Sequence, residues 1–273
     1  MKIAAFYENI LTGAKQRGIS VHDAVAEMKE AGLQRLYMSG RTFRSDEEGM
    51  LALCKEFDLQ IEGLYDFFDF LHKPDDTGYI QQVDAALRAG VKNVMSNVGL
   101  FREGDEGNHE ALMENAASAL RRAVAYATEK GIDYSMEPFD NLASPNCTID
   151  GMVWFQKNVP GLKCSFDSGN FVLHNEDELQ AFEQMKHLIC TMHVKDRGPV
   201  QHHPDDLARV CADGHCLYST PLGQGAIQVK EIFRRLKAMG YDGGLIVEMF
   251  DYGDALKGIK ESIEWIKNTW AAV

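Results

Sequence analysis

Glu137, Asp167, His193 and Glu248 each stand at or beside the end of a short apolar run. The runs read Tyr134-Ser135-Met136-Glu137-Pro138, Cys164-Ser165-Phe166-Asp167-Ser168, Thr191-Met192-His193-Val194-Lys195 and Leu245-Ile246-Val247-Glu248. Three carboxylates and one imidazole make a mixed oxygen and nitrogen donor set, harder than the thiolates of a structural zinc site. Such a set suits one divalent ion, Mn²⁺, Mg²⁺ or Co²⁺ ahead of Zn²⁺. Up to three negative charges crowded together are costly without a cation, which is itself an argument for one. Taken singly, an acidic residue at a strand end is more often a helix cap or a rim ion pair. Repetition over four successive runs, in an otherwise apolar register, points to a shared site.

Other side chains could join it. Lys195 lies two residues beyond His193, on the same side if strand geometry continues. It is placed to polarise a substrate oxygen or balance the carboxylates, and equally to pair with Asp196. Glu62, read as lying near the end of the third run, is a candidate for contacting substrate hydroxyls, against a plain rim residue. The long polar segment 198–222 after the seventh run carries His202, His203, Asp205, Asp206, Asp213 and His215. Loops of this length are often lids or mobile excursions, and a solvated loop is favoured over a second metal site. Phe6, Phe139, Trp154 and Phe250 are candidates for an apolar wall beside the site.

These residues need a scaffold that brings strand ends together. Runs of β type at 3–7, 35–38, 60–64, 93–96, 133–137, 163–167, 189–194 and 244–248 alternate with longer amphipathic stretches. The helical stretches are 22–31, 46–57, 80–89, 110–130, 149–158, 176–187, 229–239 and 256–268. Gly32, Gly90, Gly131 and Gly240 each follow a helical run and precede a strand, the place of a left-handed C′ residue. Eight β and eight α units in strict alternation predict an α/β fold, a (β/α)₈ TIM barrel forming a single domain over 1–273. A doubly wound open sheet would ordinarily bring a Gly-rich phosphate loop after its first strand, and Phe6-Tyr7-Glu8-Asn9 is not one. In a barrel, the C-terminal strand ends converge on the rim where such folds keep their chemistry.

The chain of 273 residues is 45% hydrophobic with a formal charge of −13, and its pI is near 5.1. An acidic surface repels phosphate backbones, so small molecules and metal cations fit better than nucleic acid. The opening Met1–Ile10 lacks the apolar core of a secretory signal, and no long apolar run suggests a membrane span. Six scattered cysteines without CxxC spacing read as reduced, buried thiols, which places the chain in the cytoplasm.

At the four strand ends the sequence resembles the xylose isomerase-like TIM-barrel superfamily of sugar isomerases, ketose 3-epimerases and related sugar-phosphate enzymes. The stretches that carry the resemblance are S-M-E-P-F-D-N, S-F-D-S-G-N-F, M-H-V-K-D-R and P-L-G-Q-G-A-I-Q-V-K-E-I-F-R-R-L-K-A-M-G-Y-D-G-G-L-I-V-E. It covers nearly the whole chain and is strongest from Gly131 onward. In the epimerase branch a Glu, an Asp, a His and a second Glu on the last four strands bind one divalent ion. Residue by residue these would be Glu137, Asp167, His193 and Glu248, and the resemblance implies that Glu137 and Glu248 also form the acid/base pair.

The implied activity is isomerisation or epimerisation of a ketose or ketose phosphate. A metal-bound carbonyl acidifies the neighbouring C–H and stabilises an enediolate, and the two carboxylates remove and return the proton. Several relatives have Asp-x-x-His where this chain has Asp167-Ser168-Gly169-Asn170, so Asn170 is a substrate contact or a turn residue. Arg197 lies near the position where ketose 3-epimerases often carry an Arg. The alternative within the superfamily is dehydration of a keto-inositol. An AP endonuclease-like hydrolase, which needs a histidine-rich multi-metal cluster, fits less well. The resemblance also leaves room for a homo-oligomer.

Overall fold

Residues Met1–Val273 are all described in a computed structural model. Its strands are β1 (Lys2–Phe6), β2 (Arg35–Ser39), β3 (Gln60–Phe67), β4 (Asn93–Asn97), β5 (Asp133–Met136), β6 (Lys163–Asp167) and β7 (Ile189–Val194), then β8 (Asp196–Gly198), β9 (Arg209–Val210), β10 (Cys216–Thr220) and β11 (Gly244–Val247). The helices are α1 (Tyr7–Arg17), α2 (Val21–Ala31), α3 (Gly40–Ser45), α4 (Glu47–Glu56), α5 (Thr77–Ala89), α6 (His109–Glu129), α7 (Ile149–Asn158), α8 (Glu178–Met185), α9 (Val229–Ala238) and α10 (Ala255–Ala272). Eight strands close a parallel barrel in the order β1-β11-β7-β6-β5-β4-β3-β2, with the helices outside. The chain is thus the single-domain TIM barrel that the alternation predicts.

The period-two alternation of a strand decides which side chains enter the barrel. On β6, Cys164 and Phe166 pack in the large outer core, where Phe166 meets Phe171 and Phe182. Ser165 and Asp167 occupy the opposite parity. Met192 and Val194 of β7, like Leu245 and Val247 of β11, are outer-core residues, leaving Thr191, His193, Ile246 and Glu248 on the inner parity. A smaller cluster consists of strand residues alone: Ala4, Phe6, Tyr37, Tyr65, Met95 and Ile246. Register then aligns the polar ends, since Asp167 pairs with His193 and His193 with Ile246.

Two features depart most from the sequence reading. Helix α1 follows β1 directly, where no helix is expected, because Gly13 breaks its apolar pattern. A Cβ at Gly13 would lie 2.6 Å from Leu256 Cγ, so the same glycine allows α1 to pack closely on α10. The segment 198–222 is not an unstructured loop either. β8, β9 and β10 form a small antiparallel sheet in the order β8-β10-β9. Asp206, 5% exposed, accepts from the backbone N–H of His202, His203 and Gly253, and so pins the segment to the loop after β11.

All six cysteines are unpaired; Cys54, Cys147, Cys164 and Cys211 are buried, Cys190 is half-buried and Cys216 is exposed. No helix is long and apolar enough to cross a membrane.

Candidate active site

The inner-parity residues at the C-terminal strand ends converge. Glu137, Asp167, His193 and Glu248 are all buried, and one donor atom from each can be chosen so that all lie within 4.8 Å of one another. His193 Nδ1 is 2.9 Å from Glu137 Oε2 and 3.6 Å from Glu248 Oε2. The edges of Phe6 and Tyr37 hold the imidazole, with ring centroids 5.0 and 5.1 Å away.

Glu137 is oriented from behind. Asn97 Nδ2 donates to its Oε1 at 2.9 Å, and Asn146 Nδ2 donates both to Asn97 Oδ1 at 2.8 Å and to the Glu137 carbonyl at 2.7 Å. Such amide relays fix a ligating carboxylate without competing for its free oxygen. Asp167 Oδ1 accepts from the Gly169 backbone N–H at 2.7 Å, which leaves Oδ2 turned to the site.

Lys195, 1% exposed, sits among the acids. Its ammonium contacts Glu248 Oε1, lies 3.2 Å from Asp167 Oδ2 and donates to Asn170 Oδ1 at 2.9 Å. Burial opposes its charge, but Asp167, Glu248 and Asp140 together hold its pKa above the ordinary lysine value. Burial also pushes the Glu248 carboxyl well above the usual carboxylate range; Lys195 opposes this, and Asp167 and Glu137 add to it. Asp140, although half-buried, is held below the usual range by Lys195, Arg197 and Arg209.

The donor set fits a divalent ion on an observation independent of the motif. Asp167 Oδ2 and Glu248 Oε2 are buried polar atoms without a hydrogen-bond partner, and His193 Nδ1 faces Glu137 and Glu248 beside them. Buried groups are normally satisfied, and two orphaned carboxylate oxygens in one cluster ask for a further ligand. The cluster opens into a cavity of about 240 Å³ whose walls are Phe6, Tyr65, Phe67, Phe139 and Phe250 with Glu137, Asp140, Asn170, Arg209 and Glu248.

Among the sequence candidates, Asn170 lines this cavity, while Lys195 and Arg197 lie behind its wall. Arg197, also 1% exposed, donates from Nε to the Gly169 carbonyl at 2.9 Å and from Nη2 to Asp140 at 3.1 Å. Glu62 needs correction. It accepts from Arg35 Nη1 at 2.6 Å and from the Gly244 backbone N–H at 3.0 Å. Arg35 and Gly244 open β2 and β11, so Glu62 belongs to the opposite end of the barrel. The error came from reading β3 as ending at 64, whereas it runs on to Phe67. Replacing Glu62 by Ala is expected to cost ~1–3 kcal/mol of stability, because Arg35 and the Gly244 N–H lose a charged acceptor. Catalytic turnover at the far rim should stay within twofold of wild type; urea denaturation and a rate assay check both.

Trp154 packs on Phe155 of α7 and is absent from the cavity wall. The histidines of 198–222 form no second group of metal donors. Sequence reasoning missed Asp140 and Arg209. The first lies in the S-M-E-P-F-D-N stretch, but nothing in its spacing marks it. The second arrives on β9, from a segment whose fold depends on non-local pairing.

The profile of the family described as Xylose isomerase-like TIM barrel matches residues 23–269. Inosose dehydratase of Lacticaseibacillus casei is 35% identical over 86 residues, which are 30% of this chain and 28% of that protein. The matched stretch therefore spans less than a third of this curated relative. Among solved structures, the probable 3-DHS dehydratase AsbF, involved in petrobactin synthesis in Bacillus anthracis, aligns with a TM-score of 0.75 at 17% identity over 98% of this chain and 99% of its own. D-allulose 3-epimerase from Methylomonas sp. in complex with D-allulose gives 0.73 at 16% identity, over 98% and 97%. At these identities the structures speak for the fold. The match to the family profile over most of the length goes further: the chain belongs to the xylose isomerase-like TIM-barrel family.

Proposed function

We propose that the chain is a divalent-metal-dependent isomerase or epimerase of a ketose or ketose phosphate. The observation that carries this reading is the buried Glu137-Asp167-His193-Glu248 cluster, with its two orphaned carboxylate oxygens, at the floor of a small aromatic cavity. A divalent ion held by these four residues would supply Lewis acidity, lowering the pKa of the C–H beside a substrate carbonyl. Glu137 and Glu248 both line the cavity, so one carboxylate can take the proton and the other return it to the opposite face or the neighbouring carbon. Asn170 orients a substrate hydroxyl. Lys195 holds the Asn170 oxygen and neutralises part of the acidic cluster. Arg197 acts through Asp140 and Gly169.

The test is incubation of the metal-loaded protein with ketoses and ketose phosphates in D₂O. Deuterium at a carbon-bound position is the expected result, and no exchange with any substrate would sink the reading.

The likeness to inosose dehydratase favours a second reading, dehydration of a keto-inositol or similar polyol. It begins with the same proton abstraction and then expels a hydroxyl. Product mass separates the two: unchanged for isomerisation or epimerisation, lower by one water for dehydration. We expect an unchanged mass.

A further inference from the structure

The basic side chains around the cavity are already committed to acids. Arg209 is the only base in the cavity wall. Its Nε donates to Asp251 Oδ2 at 2.6 Å, and its Nη2 lies 3.7 Å from Asp140 Oδ2. Behind the wall, Arg197 is tied to Asp140, and Lys195 is shared by Glu248, Asp167 and Asp140. Three bases thus face five carboxylates: Glu137, Asp140, Asp167, Glu248 and Asp251. The deficit is two charges, which a bound dication would cancel without surplus. Arg41, on the short helix after β2, is exposed and stands outside the wall.

Much of the nearby backbone is committed as well. Barrel phosphate sites use N–H groups of the loops after the last two barrel strands and of a helix start. Here Asp196 accepts from Gly223, Gly225 and Ile227 in the loop that follows β10. After β11, Met249 N–H donates to Asn9, Gly253 to Asp206, Ala255 to Gln16 and Lys257 to Asp254. These side chains occupy several of the donors that a phosphate would use, those at the start of α10 among them.

We infer that the substrate is an uncharged polyhydroxy ketone of monosaccharide size, carrying neither phosphate nor carboxylate. This rests on the proposed chemistry and narrows it. An anionic substituent would enter a cavity with no free cation, where five aromatic rings keep the local dielectric low and like charges repel strongly. A cavity of about 240 Å³ has room for a single sugar. The rings offer apolar faces to its C–H surface, and Glu137, Asn170 and Glu248 offer polar atoms to its hydroxyls.

The experiment is calorimetric titration of the Mn²⁺-loaded protein with matched pairs, D-fructose against D-fructose 6-phosphate and D-ribulose against D-ribulose 5-phosphate, with scyllo-inosose as a cyclic neutral probe. Neutral ligands should bind at least about tenfold more tightly than their phosphates, and inorganic phosphate should not compete. Asp251→Asn, which releases Arg209 from its acid, should narrow the gap at least about threefold. A phosphate ester binding more tightly than its neutral parent would overturn the inference, and so would silence from every neutral probe. Deuterium exchange on the same samples separates the two claims. Neutral preference without exchange would sink the catalytic reading alone, whereas exchange only with a sugar phosphate would sink this inference alone.

Discussion

Glu248→Gln and Glu137→Gln are each expected to lower solvent-deuterium incorporation by ~10²–10⁴-fold, the usual contribution of a positioned acid or base. Glutamine keeps the length of the side chain and one carbonyl oxygen for the cluster, but it cannot accept or deliver a proton at the carboxylate. For Glu137 the Asn97 and Asn146 relay should keep the substituted side chain in place, so that a loss of rate is not a loss of position. Metal content measured beside the rate separates the two ways of failing. A variant that retains its ion and loses exchange has lost proton transfer, whereas one that loses both has lost a ligand. Survival of full exchange in both variants would remove these glutamates from the acid/base role.

In metal-free protein, Lys195→Met should cost ~3–5 kcal/mol, the usual result of leaving a buried charge without its partner. Glu248 and Asp167 are almost fully buried, and Lys195 is the cation nearest to both. With Mn²⁺ present the cost should shrink, because the dication takes over the neutralisation. In wild type, Mn²⁺ at a hundred times its Kd should add ~2.7 kcal/mol, roughly 5–11 °C in Tm for a domain near this size. Asp167→Ala should remove that increment. Urea and thermal denaturation in EDTA and in Mn²⁺ read all of these effects. If the penalty of Lys195→Met were the same with and without the ion, lysine and metal would not share the neutralising role.

The barrel and the floor of its site were legible because strands impose a period of two and helices one of 3.6, and both survive in a linear sequence. The bounds of β6 and β7 match the structure to the residue, since a polar side chain ends β6 and another, Lys195, follows β7 at once. Glu62 was misplaced because β3 carries Glu62 and Asp66 inside one strand, so polarity alone does not mark its end. Helix α1 was hidden by Gly13, whose purpose is a contact with Leu256 more than 240 positions away. Arg209, Asp140 and Asp251 meet only through the folding of three separate segments. No spacing along the chain encodes such a meeting.

The cluster at the centre of the site draws on β5, β6, β7 and β11 alone, whereas β1 and β3, with the residues around them, bring Phe6, Tyr65 and Phe67 to the wall. On the proposed function, reactivity is therefore written in the second half of the chain, and the shape that a substrate meets is written partly in the first. The two can diverge at different rates. A lineage could exchange its preferred sugar by altering early strands while every proton-carrying and ion-holding side chain stayed fixed, and repertoire could widen without the chemistry being rebuilt.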